Sequence, residues 1–363
     1  MTDRVYNFSP GPAVLPLPVL EHVRRDMISL PGVGCSILEL GHRTAAFRDI
    51  LARTKEDLIR LLGIPDNFRV LFLQGGSRLQ FSMVPMNLLR GASQPAEYIV
   101  TGSWGSKALQ EAQREGAARA AWDGAGFNYD RLPPSSESLS HPDAPYLYFT
   151  SNETIQGVQF PNEPHFGQVP LVCDASSDFL SRPVPIDRYG LIFACAQKNA
   201  GPAGVTIVII REDLLDRGSD QLPGYLNYRN QVSKDSLYNT PPTFGVYVVG
   251  LVIRWLLDEV GGLAKMEEFN QHKAKLLYDV LDESPEFYQG HSQRECRSNM
   301  NVTFRLPSDQ LQDKFLREAE KRDLHNLKGH RSVGGIRASI YNAMPLEGVT
   351  TLRNFMREFC EMH

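Results

Sequence analysis

The feature that most constrains the fold is a procession of short apolar runs with helical stretches between them. Phe68–Leu73, Tyr98–Val100, Ala118–Trp122, Tyr146–Thr150, Val169–Cys173, Leu191–Cys195 and Val205–Ile210 are each too short for a stable helix and are dominated by aliphatic and aromatic residues. Ala45–Leu62 instead carries apolar residues at helical spacing with Lys and Glu between them. Leu17–Leu30, Leu79–Leu89 and Trp104–Glu115 read as further helices. A strand buried on both faces shows a near-continuous apolar run rather than alternation. Seven such runs interleaved with helices predict an α/β domain with a mostly parallel, seven-stranded sheet covered on both sides.

After about residue 260 the pattern changes. Leu263–Leu281 reads as a long amphipathic helix, Asn301–Leu306 as a strand and Leu311–Arg322 as a helix. Ser332–Ile340 reads as a turn into a strand, and Leu346–Met362 as a closing helix. The expectation is a large domain over 16–260 and a smaller α+β domain over 261–363, with residues 1–15 as an extended Pro- and Gly-rich arm. The Gly261-Gly262 pair is the expected hinge.

Composition removes several function classes. A net charge of −4 gives no electrostatic footprint for nucleic acid. The most apolar stretch, Gly245–Leu257, is short and interrupted by Arg254, so it reads as a buried helix and not a membrane span. Cys35, Cys173, Cys195, Cys296 and Cys360 are scattered, without the spacing of a zinc site or a disulfide framework. No metal is expected. The first residues lack the apolar core of a signal peptide, so a reducing, cytoplasmic setting is expected.

In a parallel sheet, chemistry collects at the carboxyl ends of the strands. Lys198 follows the run Leu191–Cys195, and Asp174 ends the run that begins at Val169. An aspartate and a lysine at the ends of neighbouring buried strands are costly to desolvate unless they have work to do. A pyridine cofactor would supply it: the amine condenses with an aldehyde and the carboxylate keeps the ring nitrogen protonated. Asp178 fits the alternative of a solvated, helix-capping aspartate better than Asp174 does. Gln74-Gly-Gly-Ser-Arg78 between a strand and a helix could cradle a phosphate, although on turn chemistry alone an ordinary tight turn fits as well. Trp104 could stack on a flat ring or pack between helix and sheet. Gly41-His42-Arg43 and Gly329-His330-Arg331 are matching donor forks. Singly each reads as a surface ion pair; together with Arg337 they suggest a site for a small, doubly anionic substrate. Asn239-Thr240-Pro-Pro-Thr243 is a polar turn.

These residues also carry a resemblance. Asn7-Phe-Ser-Pro-Gly-Pro12, the two Gly-His-Arg triplets, Gln74–Arg78, Ser151-Asn-Glu-Thr-Ile-Gln-Gly157, Ala196–Gly204, Tyr238–Phe244 and Gly334–Asn342 occur in order along nearly the whole chain. The chain resembles the phosphoserine aminotransferases, pyridoxal-phosphate (PLP) enzymes of fold type I in the class V aminotransferases. That resemblance implies exchange of an amino group between L-glutamate and 3-phosphooxypyruvate, giving O-phospho-L-serine and 2-oxoglutarate in serine biosynthesis. It also implies a related reaction on 4-phosphohydroxy-L-threonine in PLP biosynthesis. It implies Lys198 as the Schiff-base lysine, Asp174 as partner of the pyridine nitrogen, Trp104 as the stacked ring and Thr154 as a ring-hydroxyl contact. Gly76, Ser77, Arg78 and Gln197 match the phosphate cradle. Asn239 and Thr240 match residues reaching that phosphate from a neighbouring subunit, hence a homodimer with shared active sites. His42, Arg43, His330 and Arg331 match the pocket for the distal anion, and Arg337 the α-carboxylate clamp. Ser77 stands where the family usually has a third glycine, followed by a bulky Leu79, and Ser151 stands where it has proline. None of these departures removes a chemical group.

A cysteine desulfurase of the same fold would need a nucleophilic cysteine on a mobile loop. Cys296, in the polar segment Arg294-Glu-Cys-Arg-Ser298, is the one candidate. A class I aldolase using Lys198 directly is a second alternative, and a non-catalytic phosphate- or cofactor-binding protein a third.

Overall fold

The computed structural model describes residues 4–134, 141–164 and 167–363; residues 1–3 of the expected arm lie outside that set. A seven-stranded sheet is built from β1 (Phe68–Leu73), β2 (Ala96–Val100), β3 (Ala118–Asp123), β4 (Leu147–Thr150), β5 (Leu171–Asp174), β6 (Leu191–Cys195) and β7 (Thr206–Arg211). Their spatial order is β1-β7-β6-β5-β4-β2-β3. Only β7 runs antiparallel to its neighbours; the other contacts, β6-β5-β4-β2-β3, are parallel. All seven apolar runs are therefore strands of one sheet.

Alternation along these strands fills two cores. Val70 and Phe72, Ile192 and Ala194, and Ile207 and Ile209 face one side. Leu71 and Leu73, Leu191 and Phe193, and Val208 and Ile210 face the other. The first side is covered by α1 (Leu17–Asp26), α2 (Ala45–Leu62) and α6 (Thr243–Arg254). The second is covered by α3 (Gly76–Leu88) and α4 (Ser103–Ala112), with the short α5 (Tyr228–Ser233) at its margin. Burial of each such aliphatic or aromatic side chain contributes about 1.5–3 kcal/mol, so both faces are held strongly.

Past a helical turn over Trp255–Val260, Gly261 and Gly262 adopt φ of 88° and 96°, and the chain enters α7 (Leu263–Glu283). A three-stranded antiparallel sheet of β8 (Gln289–Gly290), β9 (Asn301–Arg305) and β10 (Ile336–Ser339) packs with α8 (Asp309–Glu320) and α9 (Leu346–Met362) around a third core. Phe8 of the N-terminal arm is buried in that core, and Tyr6–Asn7 pairs in parallel with Leu324–His325. Lys273 of α7 is fully buried and donates to the carbonyls of Ile340, Tyr341 and Met344 at 2.9, 2.7 and 3.3 Å. It pins the segment that follows β10, the strand that carries Arg337.

No helix among the described residues is long and apolar enough to cross a membrane. Among the same residues no group of three or more His, Cys, Asp or Glu is placed to hold a metal ion.

Candidate active site

The carboxyl ends of β4, β5 and β6 open into a cavity of about 380 Å³. Asp174, Lys198, Trp104, Thr154, Gly76, Ser77, Arg78, Gln197, His330 and Arg337 all line it. Asp174 is the last residue of β5 and only 4% exposed. Burial pushes its carboxyl above the usual range, while the Ser176 hydroxyl and amide and the positive charge of Lys198 pull the other way. The Ser176 amide donates to Asp174 Oδ1 at 3.0 Å. Lys198 lies in the turn after β6 and donates from Nζ to Thr154 Oγ1 at 2.6 Å. Gly11 of the arm backs it so closely that an added Cβ would sit 3.3 Å from the lysine Cγ.

The turn between β1 and α3 supplies a cradle. Gly75 and Gly76 have φ of 91° and 66°, a region open to glycine at little cost. The helix starts at Gly76, so the first amides of α3 have no partners within the helix. A Cβ on Gly75 would collide with Leu79, which explains why a bulky residue follows the turn: it packs against the bare glycine. Ser77 Oγ lies 2.6 Å from Ser176 Oγ, tying the cradle to the strand end that bears Asp174. Arg78 is exposed and has no carboxylate partner among the described residues.

Trp104 occupies the second position of α4. Three cations flank its ring, with Lys107 Nζ 4.4 Å, Arg78 Cζ 5.8 Å and Lys198 Nζ 6.0 Å from the centroid. On the far side of the cavity Arg337 is 6% exposed. One Nη donates to the Thr154 carbonyl at 3.5 Å, Nε has no partner, and no carboxylate pairs with the guanidinium among the described residues. Burial lowers its pKa. His330 Nδ1 accepts from the Ser332 amide at 3.2 Å, which leaves the proton on Nε2. Burial first, then Arg337, Lys107 and Arg331, hold the imidazole below its ordinary pKa. Arg331 is exposed beside it.

Five of the expected residues do not line this cavity: Arg331, which neighbours the lining residue His330, and four others. His42 and Arg43 occupy the turn before α2, and Asn239 and Thr240 the turn before α6. Asn239 Nδ2 reaches Gln74 Oε1 at 3.3 Å, and Gln74 Nε2 reaches the Thr240 carbonyl at 3.4 Å, so that pair sits at the outer edge of the cradle.

Two readings from sequence are corrected. Asp178 is buried and not solvated: it accepts from the Ser151 hydroxyl and from Gln159 Nε2, the latter at 3.1 Å. Burial pushes its pKa up as well. Cys296 is buried rather than on an exposed loop, its thiol donating to the carbonyls of Asp130 and Gln293. Burial pushes that thiol up to about 11, the reverse of what a nucleophile needs. The sequence reading also passed over Ser176, which lines the cavity, and Glu153, which is buried behind it. Glu153 lies inside the quoted Ser151–Gly157 motif, and its place beside Thr154 was the available signal.

The Aminotransferase class-V family profile matches residues 5–352. The phosphoserine aminotransferase of Rhodopirellula baltica is 56% identical over 98% of this chain and 95% of its own. That of Laribacter hongkongensis is 54% identical over 99% of both. The solved phosphoserine aminotransferase from Bacillus circulans subsp. alkalophilus superposes with a TM-score of 0.96 at 46% identity, covering 99% of each chain. The chain belongs to the phosphoserine aminotransferases of class V.

A PLP-bound member of the family, from Trichomonas vaginalis, has a TM-score of 0.89 at 38% identity over 98% of this chain. The cofactor of this chain is PLP, and the donor set fits it. A glycine cradle that side chains would fill and the free amides of α3 suit a phosphate. A buried carboxylate suits a cationic ring nitrogen, and an amine within the same cavity suits an aldehyde.

Proposed function

We propose that the residues named above divide the work of a phosphoserine transamination, with L-glutamate and 3-phosphooxypyruvate as substrates and O-phospho-L-serine and 2-oxoglutarate as products. When bound, PLP supplies an aldehyde that accepts the amino group and a cationic ring that withdraws electrons from the substrate α-carbon. Lys198 would hold the cofactor and, once released, move the proton at the substrate Cα through Nζ, with Thr154 Oγ1 fixing the direction of the freed amine. Asp174 would hold the proton on the ring nitrogen. Gly76, Ser77, Arg78 and Gln197 would hold the phosphate, and Trp104 would stack on the ring.

The observation that carries this reading is Arg337. A buried guanidinium in the cavity of Lys198 and Asp174, with no carboxylate partner among the described residues, suits an anion. The substrates' α-carboxylate is the anion they share. Their distal groups differ, phosphate on one and carboxylate on the other, and His330 and Arg331 at the cavity's rim can meet either.

His42, Arg43, Asn239 and Thr240 would then serve the active site of a second copy. None of the four lines this chain's own cavity, which supports a homodimer with shared active sites, built from a large unit over 16–260 and a small one over 1–15 and 261–363. A cytoplasmic location fits five unpaired cysteines.

The test is a visible spectrum of the purified protein. Glutamate should bleach the yellow of the bound cofactor, and 3-phosphooxypyruvate should restore it with release of phosphoserine. A colourless protein, or a yellow one indifferent to both substrates, would overturn the reading.

A further inference from the structure

Glu153 is the least expected side chain near the cavity. It is fully buried, and no Lys or Arg pairs with it among the described residues. Its carboxylate instead faces the start of α4. The N-cap of that helix is Gly102, which has no side chain to offer, so the first amides must find partners elsewhere. Trp104 N–H donates to Glu153 Oε2 at 3.0 Å and Gly105 N–H to Oε1 at 2.8 Å. Ser103 N–H donates to Gln156 Oε1 at 3.3 Å. A turn from another part of the chain thus caps the helix, and a negative charge sits at its positive end.

The approach is close from both sides. A Cβ on Gly102 would lie 2.5 Å from Glu153 Cδ and 2.7 Å from Gln156 Oε1. Gly102 is extended, with φ of 176°, so glycine is required there by the carboxylate and not by the backbone angle. Both oxygens of Glu153 act on the residue that carries the indole and its neighbour. The indole itself has no hydrogen bond at Nε1 to hold it.

We propose that Glu153 is the positioning residue for Trp104: by gripping the amides of Trp104 and Gly105 from outside the helix, it fixes the pose in which the indole meets the cofactor. This rests on the reading that Trp104 stacks on PLP. Glu153 does not line the cavity and acts through the start of α4. The grip needs an ionised carboxylate, and burial pushes Glu153 up to about 7. Around it stand Asp174 and Lys198 at the cavity, Lys107 on α4, and Tyr129 and Tyr148 behind. Above neutral pH the carboxylate is charged and accepts both amides. As pH falls through about 7 it gains a proton and loses the attraction to the helix end.

The test compares Glu153→Gln, Gly102→Ala and Trp104→Ala with the unsubstituted enzyme. PLP affinity is measured on protein stripped of cofactor, and visible circular dichroism on the holoenzyme. Loss of one charge-assisted contact predicts PLP binding about tenfold weaker at pH 8 in E153Q, with a smaller visible dichroic band. G102A, which displaces the carboxylate without removing it, should do the same, and it keeps the idea open to refutation if E153Q folds poorly. The unsubstituted enzyme should lose affinity as pH drops through the neutral range, and E153Q should lack that step. Unchanged affinity and dichroism in E153Q or G102A, alongside impaired W104A, would overturn the role of Glu153 while leaving the stacking intact. Unchanged W104A would instead remove the stacking reading, and this inference with it.

Discussion

A guanidinium as buried as that of Arg337, with no carboxylate partner among the described residues, is a liability until an anion arrives. Arg337→Met should therefore raise the thermal midpoint of the cofactor-free protein by about 2 °C, because an unpaired buried cation is replaced by a well-packed chain. The same change should lower kcat/KM by about a hundredfold, since the α-carboxylate loses a charge-assisted fork. Calorimetry and steady-state kinetics on one preparation check both signs. Lys198→Ala should leave the midpoint within about 2 °C of the parent and lower turnover by about 10³-fold or more; a variant that still cycles freely would remove Lys198 as the proton carrier. Lys198 and Asp174 were legible because polar residues that end apolar runs are conspicuous. Glu153, Asp178 and Cys296 were not. Each lies in a locally polar stretch, and each is buried by contacts far along the chain, such as the 48 residues between Glu153 and Gly105. Sequence spacing carries no record of such contacts.

At the level of elements, the cradle depends on backbone shape more than on side chains. Gly75→Ala forces a left-handed angle on a residue with a Cβ and drives it into Leu79, for a cost of about 1–2 kcal/mol. That strain falls on the turn that would face the phosphate, so the variant should lose PLP on gel filtration while Ser77→Gly retains it. Equal retention would mean that the amides of α3 do not hold the phosphate. The seven strands of the large sheet were legible to within two residues, since most are buried and leave near-continuous apolar runs, whereas two-residue strands such as Gln289–Gly290 were not. The start of α3 was placed late, at Leu79 rather than Gly76, because glycines at a helix start score as loop. The direction of β7 was invisible: an apolar run buried on two faces looks the same read either way along its neighbours.

Across the whole molecule, the two halves of the chain are bolted together behind the cavity. Asn152 Nδ2 donates to Ser177 Oγ at 2.7 Å and to Asn301 Oδ1 at 2.8 Å, and Ser298 Oγ donates to Asn152 Oδ1 at 2.6 Å. Asn301 Nδ2 continues to Ser339 Oγ at 2.9 Å, and Tyr341 OH reaches the Pro10 carbonyl of the arm at 2.9 Å. This buried polar chain fixes the small sheet, and with it Arg337, against the strand ends that hold Asp174 and Lys198. Among the described residues no comparable tie brings His42 or Arg43 to that cavity. The proposed sharing of sites between two copies makes a quantitative prediction: if it holds, the next two substitutions damage different sites. Arg43→Ala spoils the site its chain completes, and Lys198→Ala spoils the site its chain builds. Neither homodimer should turn over well. After equal amounts are mixed and allowed to exchange subunits, half the dimers are mixed, and one site in each combines an intact Lys198 with an intact Arg43. About a quarter of the parent activity should return. If Arg43 acted within its own chain, every site would keep one lesion, and mixing would restore nothing.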